Sequence, residues 1–414
     1  MLSPGDVLGD GPPIAIALRT LGTGGGEKVM LRLAAAFTTS GHPVHLLAGG
    51  IEPAGRVQLP RGVGLVRVLP RALGPARRAR LLTPAPFARR DLLRGRLLGP
   101  ALPHVEGLAQ WLAGAMPAAV LGTGVFANIE AALAVELARL DTRFIPTEHV
   151  ALDALFADHL ASAKGSRQAR RRRRTRALQR LMADLYPRAQ AVVAVSAGVA
   201  DDVANHTGLA RERVRVIHNP VVDADLVEAA REPPPHPWFS DDGPAPVLAM
   251  GRLTAQKDFP TLLRALALLP SACKPRLVIL GEGRERAALL ALAAQLGIAE
   301  RVSLPGHVHN PFACLARARL LVMSSRFEGL PLALIEALAC GCPVVSTDCR
   351  WGPREILAGG RWGRLVPVGD AAALAGAMLA TLQQPPDRSV LRRRAADFAV
   401  EKSATAYRAL MFAP

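Results

Sequence analysis

The segment SSRFEGLPLALIEALACGCPVVST, residues Ser324–Thr347, decides how this chain folds. An apolar run ends at its first serine, which predicts a buried strand. A loop carrying Glu328 follows, and Pro331 stands where a helix would have its first residue, a position at which the missing N–H of proline costs no hydrogen bond. Glu336 lies on that helix, which ends at Gly341 as a C-terminal cap before the next strand. The segment therefore predicts a strand–loop–helix–strand unit.

The start of this helix predicts a binding site for oxygen-rich ligands. The N–H groups of residues 330–333 point out of the helix end, carry partial positive charge and suit phosphate or sugar oxygens. Glu328 and Glu336 flank that end, and a carboxylate accepts two hydrogen bonds from a vicinal diol of the kind that ribose and hexose present. Dinucleotide-binding folds also place an acid on a ribose.

A catalytic pair of acids, as in a glycosidase, is the alternative for Glu328 and Glu336. The two carboxyl groups of a glycosidase lie about 5–9.5 Å apart, whereas eight residues of continuous helix span about 12 Å along the axis. The loop before Pro331 leaves the separation open, and a binding role fits the spacing better.

Outside this segment, apolar runs bounded by glycine or proline alternate with longer helical stretches. The predicted strands are Ile14–Leu18, Val44–Leu47, Val120–Gly122, Phe144–Pro146, Ala191–Val195 and Val214–Ile217 in the first half, and Val247–Gly251, Arg276–Gly281, Val302–Pro305, Leu320–Ser324 and Pro343–Thr347 in the second. This alternation is typical of an α/β fold with two parallel sheets. The Pro-rich, acidic stretch Glu232–Asp242 lies near the boundary of the halves and is predicted to stay out of the core.

The composition favours two aliphatic cores and an anionic partner. The chain has 414 residues, of which 50% are hydrophobic and 4% aromatic, so the cores are built from Leu, Ala and Val. Its formal net charge of +17 is carried almost entirely by arginine, which suits nucleic acid, an anionic membrane or a phosphorylated ligand, with coding bias as the alternative. Arginines are dense at Arg67–Arg96 and Arg167–Arg176. The second run fits a solvated helix face, a nucleic-acid patch or an element on an anionic membrane surface, and its lack of interleaved aromatic residues weakens the case for single-stranded nucleic acid.

The cysteines and the apolar runs indicate the compartment. The five cysteines, Cys273, Cys314, Cys340, Cys342 and Cys349, mostly lie in apolar runs without a usual zinc spacing, which predicts reduced packing residues. The N-terminus lacks the pattern of a secretory signal, and no apolar stretch reaches the roughly 18 residues that span a bilayer. We therefore expect a cytoplasmic protein, soluble or peripheral at the inner face of the cell membrane.

Three further groups follow predicted strands, where ligands of parallel sheets bind. Arg252 and Lys257 come after the strand that ends at Gly251, and a fork donor and a point donor can clamp a diphosphate, with a solvated turn as the alternative. The loop GTGGG, Gly22–Gly26, opens a helix but fits neither GxGxxG nor the P-loop pattern, so a flexible turn stays open. His149 is a candidate to face a reacting group, and a structural histidine is its alternative.

The Glu-x7-Glu pair in FEGLPLALIEALACGCPVVST resembles the signature of retaining glycosyltransferases of family 4, which have the GT-B fold. The resemblance extends through Met250–Leu266 (MGRLTAQKDFPTLLRAL) and Val278–Val308 in the second half. In the first half it covers Val195–Val203 and Val216–Val221, and the remainder is less specific.

This resemblance implies two Rossmann-like parallel-sheet domains that face a cleft. Residues 1–220 would bind the acceptor, residues 221–396 the nucleotide sugar, and residues 397–414 would cross back to the first domain. Arg252 and Lys257 would hold the donor diphosphate, Glu336 the ribose and Glu328 the hydroxyls of the transferred sugar. The turn at Gly306–Val308 would receive the base through backbone groups. The implied donor-binding residues are Gly24, Gly25, Gly26, Arg252, Lys257, Val308, Glu328, Gly329, Leu330, Pro331 and Glu336, and the implied catalytic residues are His149, Arg252, Lys257 and Glu328.

The implied reaction is transfer of a sugar, with retained anomeric configuration, from a UDP- or GDP-sugar to a glycan or lipid-linked acceptor. A front-face substitution and a role in bacterial cell-envelope polysaccharide or lipopolysaccharide synthesis are part of the same expectation. The sequence has no Asp-x-Asp motif, so no essential metal and no cofactor are expected. A GT-B epimerase that acts on the sugar nucleotide and a basic nucleic-acid-binding α/β protein remain the alternatives.

Overall fold

The computed structural model describes residues 9–22, 24–52, 57–82, 102–161, 166–270 and 273–412, with backbone only at 158–161 and 166–167. Residues 83–96 of the first arginine-rich stretch, the side chain of Arg167 and residue Thr23 of the glycine loop lie outside the described part. The internal contacts divide the chain into two units, residues 1–220 with 400–414, and residues 221–399.

The first unit is a parallel α/β sheet with seven strands among the described residues, in the order β3-β2-β1-β4-β5-β6-β7. The strands are β1 (Ile14–Leu21), β2 (Val44–Ile51), β3 (Val63–Arg67), β4 (Ala119–Thr123), β5 (Arg143–Glu148), β6 (Val192–Ala194) and β7 (Val214–Val216). The helices are α1 (Gly25–Thr39), α2 (Pro75–Leu82), α3 (Val105–Ala115), α4 (Gly124–Ala138), α5 (Leu152–Ala161), α6 (Ser166–Leu185), α7 (Ala197–Thr207) and, from the end of the chain, a helix at Val400–Phe412. The strand order reverses between β1 and β4, and ligands of such sheets bind beyond the carboxyl ends of the strands at that point.

The second unit repeats this plan with six described strands, in the order β10-β9-β8-β11-β12-β13. The strands are β8 (Val247–Met250), β9 (Leu277–Leu280), β10 (Val302–Gly306), β11 (Leu320–Met323), β12 (Val344–Thr347) and β13 (Arg364–Val366). The helices are α8 (Ala224–Ala229), α9 (Phe259–Ala267), α10 (Arg286–Gln295), α11 (Pro311–Arg317), α12 (Leu332–Ala339), α13 (Pro353–Ile356), α14 (Ala371–Gln383) and α15 (Arg388–Ala395), and the Val400–Phe412 helix of the first unit is α16. The order reverses between β8 and β11, which places the ends of these two strands at the centre of the candidate site.

The core of the second unit is aliphatic, as the composition predicts. Strand β9 is buried at all four of its residues, and so is β11, because helices cover both faces of a parallel sheet. Leu262, Leu266 and Leu289 pack on one face from α9 and α10. The fold class is therefore confirmed as two parallel-sheet α/β units.

Three features of the fold differ from the sequence prediction. Strands β3 and β13 were not predicted, because both are short edge strands that contain an arginine and are only partly buried. Helix α12 begins at Leu332 rather than at Pro331, which takes the N-cap position with extended backbone. The expectation that Glu232–Asp242 stays out of the core is wrong: His236 and Phe239 are both 8% exposed.

Each ring nitrogen of the buried His236 has a polar contact. Its Nε2 atom lies 2.9 Å from Ser303 Oγ on β10, and its Nδ1 atom accepts the backbone N–H of Trp238. Arg276 donates to both carboxylate oxygens of Asp241 and stacks over the Trp238 ring. Polar and Pro-rich residues thus fold over the edge of the second sheet instead of forming a solvated linker.

The last helix, α16, packs on the first unit. The Tyr407 ring lies edge-on to Phe37 of α1, with 6.5 Å between centroids, and its hydroxyl is 3.3 Å from Thr147 Oγ1 on β5. Ser403 Oγ donates to the carbonyl oxygen of His218 at 2.8 Å. Tyr407 is 2% exposed, so this helix closes part of the core of the first unit.

Candidate functional site

Loops at the carboxyl ends of β8, β11 and β12 are tied to one another by hydrogen bonds. The bonds are Arg326 N to Gln256 O (2.8 Å), Gln256 Nε2 to Phe327 O (3.0 Å), Ser324 Oγ to Lys257 O (2.8 Å) and Thr347 Oγ1 to Ser325 O (2.6 Å). These bonds join the loop that carries Arg252 and Lys257 to the loop that carries Glu328. Two motifs about seventy residues apart in sequence are thereby held in one place.

Lys257 and Glu328 form an ion pair in this place. Lys257 Nζ lies 2.6 Å from Glu328 Oε1, and the two side chains are 18% and 9% exposed. A charge-assisted hydrogen bond with this little solvent is held in a fixed geometry. The sequence assigned the two residues to different parts of one ligand, and the structure brings their charged groups into direct contact.

Glu336 is buried without a partner. It lies in the second turn of α12, is 5% exposed, and its carboxylate makes no hydrogen bond or ion pair with the residues that the structure describes. A carboxylate in this state keeps its acceptor sites available to a ligand. A vicinal diol would supply two donors to it.

The start of α12 is shaped by a close backbone approach. Gly329, Leu330 and Pro331 are all buried, and no side chain caps the helix. Gly352, at φ +91°, lies so near that a Cβ atom there would be 2.6 Å from Pro331 Cδ and 2.7 Å from Gly329 O. Only glycine fits this position, and the start of α12 beside it has no side-chain cap, as a site for a ligand's oxygens would require.

A second glycine acts in the same way at the end of β9. A Cβ atom on Gly281, at φ +141°, would lie 2.0 Å from the carbonyl oxygen of Gly251. The backbone after β8 and β9 is therefore in contact, and Arg252 follows directly as an exposed residue. Sequence reasoning missed Gly281 and Gly352 as site residues. For Gly281, its position at the end of a predicted strand was a signal that could have identified it.

The turn after β10 holds the residue predicted to receive a base. Val308 is half-buried, two residues beyond Gly306. The strand β10 is paired with β9, so this turn lies on the same carboxyl edge as Gly281.

In the first unit, the glycine loop and His149 are neighbours. Gly24 is the N-cap of α1 and provides no side-chain cap, and Gly24 and Gly25 are exposed. A Cβ atom on Gly26 would lie 3.9 Å from His149 Cγ. The ends of β1 and β5 thus bring together two groups that the sequence proposed separately.

His149 is held as a neutral imidazole. Burial lowers its pKa from 6.5 to about 4, although the Asn219 side chain raises it by hydrogen bonding. Both ring nitrogens are shielded from solvent. A neutral ring at physiological pH can donate or accept a hydrogen bond to a reacting group, but it provides no fixed positive charge.

The residue before His149 belongs to a buried polar network that sequence reasoning missed. Glu148 is 1% exposed and accepts hydrogen bonds from the Tyr186 hydroxyl and from Asn128 Nδ2 at 2.9 Å. Asn128 Nδ2 also lies 3.1 Å from the carbonyl oxygen of Thr147. Burial raises the pKa of Glu148 to about 7, and the hydrogen bonds of Tyr186 and Asn128 oppose the shift. The network fixes the carboxyl end of β5, from which His149 projects.

One group of side chains in the described residues has the composition of a metal site. The ligand atoms of Asp153, Asp202 and His206 lie within 4.8 Å of one another. His206 Nε2 is 2.7 Å from Asp153 Oδ1, its Nδ1 is 2.9 Å from Gln179 Nε2, and Asp202 Oδ2 accepts the backbone N–H of Leu152. An amide that donates to Nδ1 fixes the proton on Nε2, so this histidine is a donor to Asp153 rather than a ligand.

The arginine run lies on α6, with Arg170, Arg172, Arg173 and Arg176 exposed. Within the described ranges, no helix combines the length and the apolar character that crossing a bilayer requires. The cysteines carry no disulfide, four of the five are buried, and burial raises the pKa of Cys342 to about 12, as expected of packing residues.

Comparisons with known proteins cover both units. Residues 23–225 match the family described as Glycosyltransferase Family 4, and residues 245–384 match the family described as Glycosyl transferases group 1. A Campylobacter jejuni N-acetylgalactosamine-N,N'-diacetylbacillosaminyl-diphospho-undecaprenol 4-alpha-N-acetylgalactosaminyltransferase is 31% identical over 215 residues, which are 52% of this chain and 57% of that protein. The Rhizobium meliloti lipopolysaccharide core biosynthesis glycosyltransferase LpsE is 36% identical over 187 residues, 45% of this chain and 52% of that protein. The chain thus spans about half the length of these relatives.

Solved structures share the fold over nearly the whole chain. The lipopolysaccharide outer core galactosyltransferase WaaB, in its apo form, superposes with a TM-score of 0.66 at 20% identity and covers 97% of this chain and 99% of its own. Anabaena HepE in complex with UDP-glucose has a TM-score of 0.70 at 17% identity, with 96% and 98% covered. The two family matches and this shared GT-B fold agree with the Glu-x7-Glu segment. The chain therefore belongs to the family 4-like glycosyltransferases.

Proposed function

We propose that this protein transfers a sugar, with retention of anomeric configuration, from a UDP- or GDP-sugar to a glycan or lipid-linked acceptor. The reaction would serve bacterial cell-envelope polysaccharide or lipopolysaccharide synthesis, in line with the names of Rhizobium LpsE and of WaaB, and the diphospho-undecaprenol in the name of the Campylobacter relative supports a lipid-linked acceptor. The observation that carries the proposal is Glu336, a carboxylate 5% exposed and without a partner beside an uncapped helix start. A nucleotide sugar offers this place a diol and phosphate oxygens together.

Each donor residue has a role that its position supports. Glu336 binds the ribose hydroxyls, and the backbone of Gly329, Leu330 and Pro331 binds donor oxygens. Lys257 and Arg252 bind the diphosphate and offset the charge that develops on the leaving nucleotide. Glu328, which holds Lys257 Nζ at 2.6 Å, binds hydroxyls of the transferred sugar. Val308 lies on the turn that receives the base through backbone groups.

In the first unit we assign Gly24, Gly25 and Gly26 to contact with the donor phosphates and acceptor. His149 donates or accepts a hydrogen bond at the reacting sugar as a neutral ring. No carboxylate of the candidate site is free to serve as a nucleophile in this scheme. A front-face substitution, in which the leaving phosphate takes the proton of the acceptor, is therefore the proposed route to retention.

Two further expectations stay proposals. We expect the reaction to require no metal or other cofactor: His206 donates to Asp153, and Asp202 accepts the backbone N–H of Leu152. The exposed arginines of α6 bind an anionic membrane face, at about 1 kcal/mol for each basic residue near the surface. Vesicle sedimentation tests the second expectation, and equal partitioning onto neutral and anionic vesicles would contradict it.

Donor binding and product analysis test the whole proposal. A thermal-shift screen against UDP-, GDP- and ADP-sugars should give one clear increase, because a ligand at about one hundred times its Kd stabilises the native state by about 2.7 kcal/mol. With the selected donor, NMR of the glycoside product should show the same anomeric configuration as the donor. An inverted product would overturn the retaining mechanism, and release of nucleotide with epimerised free sugar in the absence of acceptor would favour an epimerase.

A further inference from the structure

The loop after β12 holds a tryptophan in a strained backbone conformation. Trp351 has φ +69°, in the left-handed region, which is unfavourable for a residue with a bulky side chain. Gly352, at φ +91°, follows it, so the chain turns sharply over these two residues. A strained residue persists only where its surroundings hold it, and such residues cluster at binding sites. None of the proposed roles in donor binding involves Trp351.

The residues before and after this tryptophan contact the residues before and after Glu328. On one side, Arg350 forms a parallel β-bridge with Phe327. On the other side, Gly352 lies against Gly329, because a Cβ atom on Gly352 would be 2.7 Å from the carbonyl oxygen of Gly329. The loop after β12 therefore runs beside the loop after β11, and the register of these contacts places the tryptophan opposite Glu328.

The charges of the Lys257–Glu328 ion pair act on the same loop. Cys349, two residues before Trp351, is buried. Burial and then the charge of Glu328 raise the pKa of the Cys349 thiol to about 12, and a hydrogen bond with Thr347 and the charge of Lys257 oppose the shift. Both members of the ion pair therefore lie close to the loop that carries Trp351, and so does the place at which Glu328 would bind sugar hydroxyls.

A second Arg–Trp pair in this unit shows that the strain is not a property of the pair itself. The guanidinium carbon of Arg350 lies 4.5 Å from the Trp351 ring centroid, and that of Arg361 lies 4.8 Å from the Trp362 centroid. In both pairs the arginine is exposed and the tryptophan half-buried. Trp362 precedes β13, at the opposite edge of the sheet, and its backbone is outside the left-handed region. The strained member is the one at the carboxyl edge, where ligands bind.

We propose that the Trp351 indole packs on the C–H face of the transferred sugar, whose hydroxyls Glu328 binds. A sugar ring has faces made of C–H groups and a rim of hydroxyls, so an aromatic ring opposite a carboxylate matches both of its surfaces. This contact rests on the proposed function, which supplies the sugar. It deepens that function by naming a residue that recognises the sugar and not the nucleotide. The strain at Trp351 is the cost of placing a large ring beside Glu328.

Calorimetric titration of the full chain with two probes tests this contact. The probes are the sugar nucleotide that raises the melting temperature most in a screen of UDP-, GDP- and ADP-sugars, and the matching nucleoside diphosphate. Trp351→Asn removes the ring, and asparagine adopts the left-handed region readily. Because the indole contacts only the sugar, this variant should weaken binding of the sugar nucleotide about tenfold and change the Kd of the nucleoside diphosphate less than about twofold.

The matched control is Trp362→Asn, which removes a half-buried ring with the same arginine contact at the opposite edge of the sheet. It should leave both dissociation constants within about twofold of the parent values. Without ligand, Trp362→Asn should lower the melting temperature, since packing is lost and no strain is relieved. Trp351→Asn should melt at the parent temperature or above it, because relief of the strained backbone offsets the lost packing. A larger decrease in Trp351→Asn than in Trp362→Asn would show that the ring supports the fold, and would overturn the proposal.

Trp351→Phe keeps the test decisive if asparagine disturbs the loop. Phenylalanine retains an aromatic face and should bind the sugar nucleotide within about threefold of the parent protein. A folded Trp351→Phe that binds it as weakly as Trp351→Asn would overturn the packing contact. So would a Trp351→Asn that loses both probes equally, or neither. A parent protein that binds no sugar nucleotide would refute the proposed function and this contact with it, whereas a parent that binds one and a variant that does not discriminate between the probes would refute the role of Trp351 alone.

Discussion

Replacement of Glu336 by glutamine tests separately what this buried carboxylate does for donor binding and for the stability of the free protein. In the free protein Glu336 is 5% exposed and its carboxylate has no donor among the described residues. In the donor complex it would accept two hydrogen bonds from the ribose diol. A hydrogen bond to a charged group contributes about 1.5–3 kcal/mol, and glutamine keeps one neutral acceptor in the same place. Glu336→Gln should therefore weaken donor binding by roughly tenfold to a hundredfold.

The same variant should melt at an equal or higher temperature than the parent protein without ligand, because a neutral amide costs less to bury. Calorimetric titration with the donor selected by the screen gives the first quantity, and thermal unfolding of the free chain gives the second. Glu300→Gln, at an exposed position of the same unit, is the control for charge and should change neither. Donor affinity within twofold of the parent, in a folded variant, would refute the assignment of Glu336 to the ribose.

Three further predictions concern charge and pH. Lys257→Ala should lower kcat at least a hundredfold in steady-state kinetics, an effect of the size seen when one transition-state donor is lost. It should also destabilise the free protein by about 1–3 kcal/mol in urea unfolding, because Glu328 keeps a buried charge without its partner. Burial raises the pKa of Glu148 from 4.5 to about 7, so the native state binds the extra proton, and the stability that this carboxyl contributes is present below pH 4.5 and is lost as the pH rises past 7. Glu148→Gln should therefore flatten the pH dependence of the free energy of unfolding across this range. Burial lowers the pKa of His149 from 6.5 to about 4, so the unfolded state binds the extra proton and the stability of the protein falls as the pH drops from 6.5 toward 4. His149→Gln should remove that loss, and a variant that loses as much stability in this range as the parent would show that the ring is not buried in solution.

The sequence predicted those parts of the fold and site that depend on neighbours along the chain. Strand, loop, Pro331, helix and Gly341 follow within one short segment, and each has a local physical reason. The short edge strands β3 and β13 were not predicted by the same reasoning, since an edge strand is only partly buried and contains polar residues. The prediction for Glu232–Asp242 failed for a different reason. Its prolines and acids are typical of a linker, but His236 contacts Ser303, which lies on a strand 67 residues away.

Local sequence patterns could not predict the contacts that complete the candidate site. The Lys257–Glu328 ion pair joins residues 71 apart, and the Glu148 network joins β5 to Asn128 and to Tyr186 across 20 and 38 residues. No spacing rule links such positions, because the sheet order decides which loops meet. Gly352 shows the same limit, since its need for a bare backbone arises only from Pro331 and Gly329 in contact with it.

The two units place their chemistry at equivalent points for one reason. In each sheet the strand order reverses next to the first strand of the unit, between β1 and β4 and between β8 and β11. Helices that leave neighbouring strands at such a point go to opposite faces of the sheet, so the strand ends between them are left open to a ligand. The second unit fills this place with Lys257, Glu328 and the start of α12, which suit a sugar and a diphosphate. The first unit places the loop of Gly24, Gly25 and Gly26 after β1 and the start of α4 after β4, and these residues carry no carboxylate. The side chains at the reversal point, rather than the strand order, therefore distinguish the two units, because the order itself is the same in both.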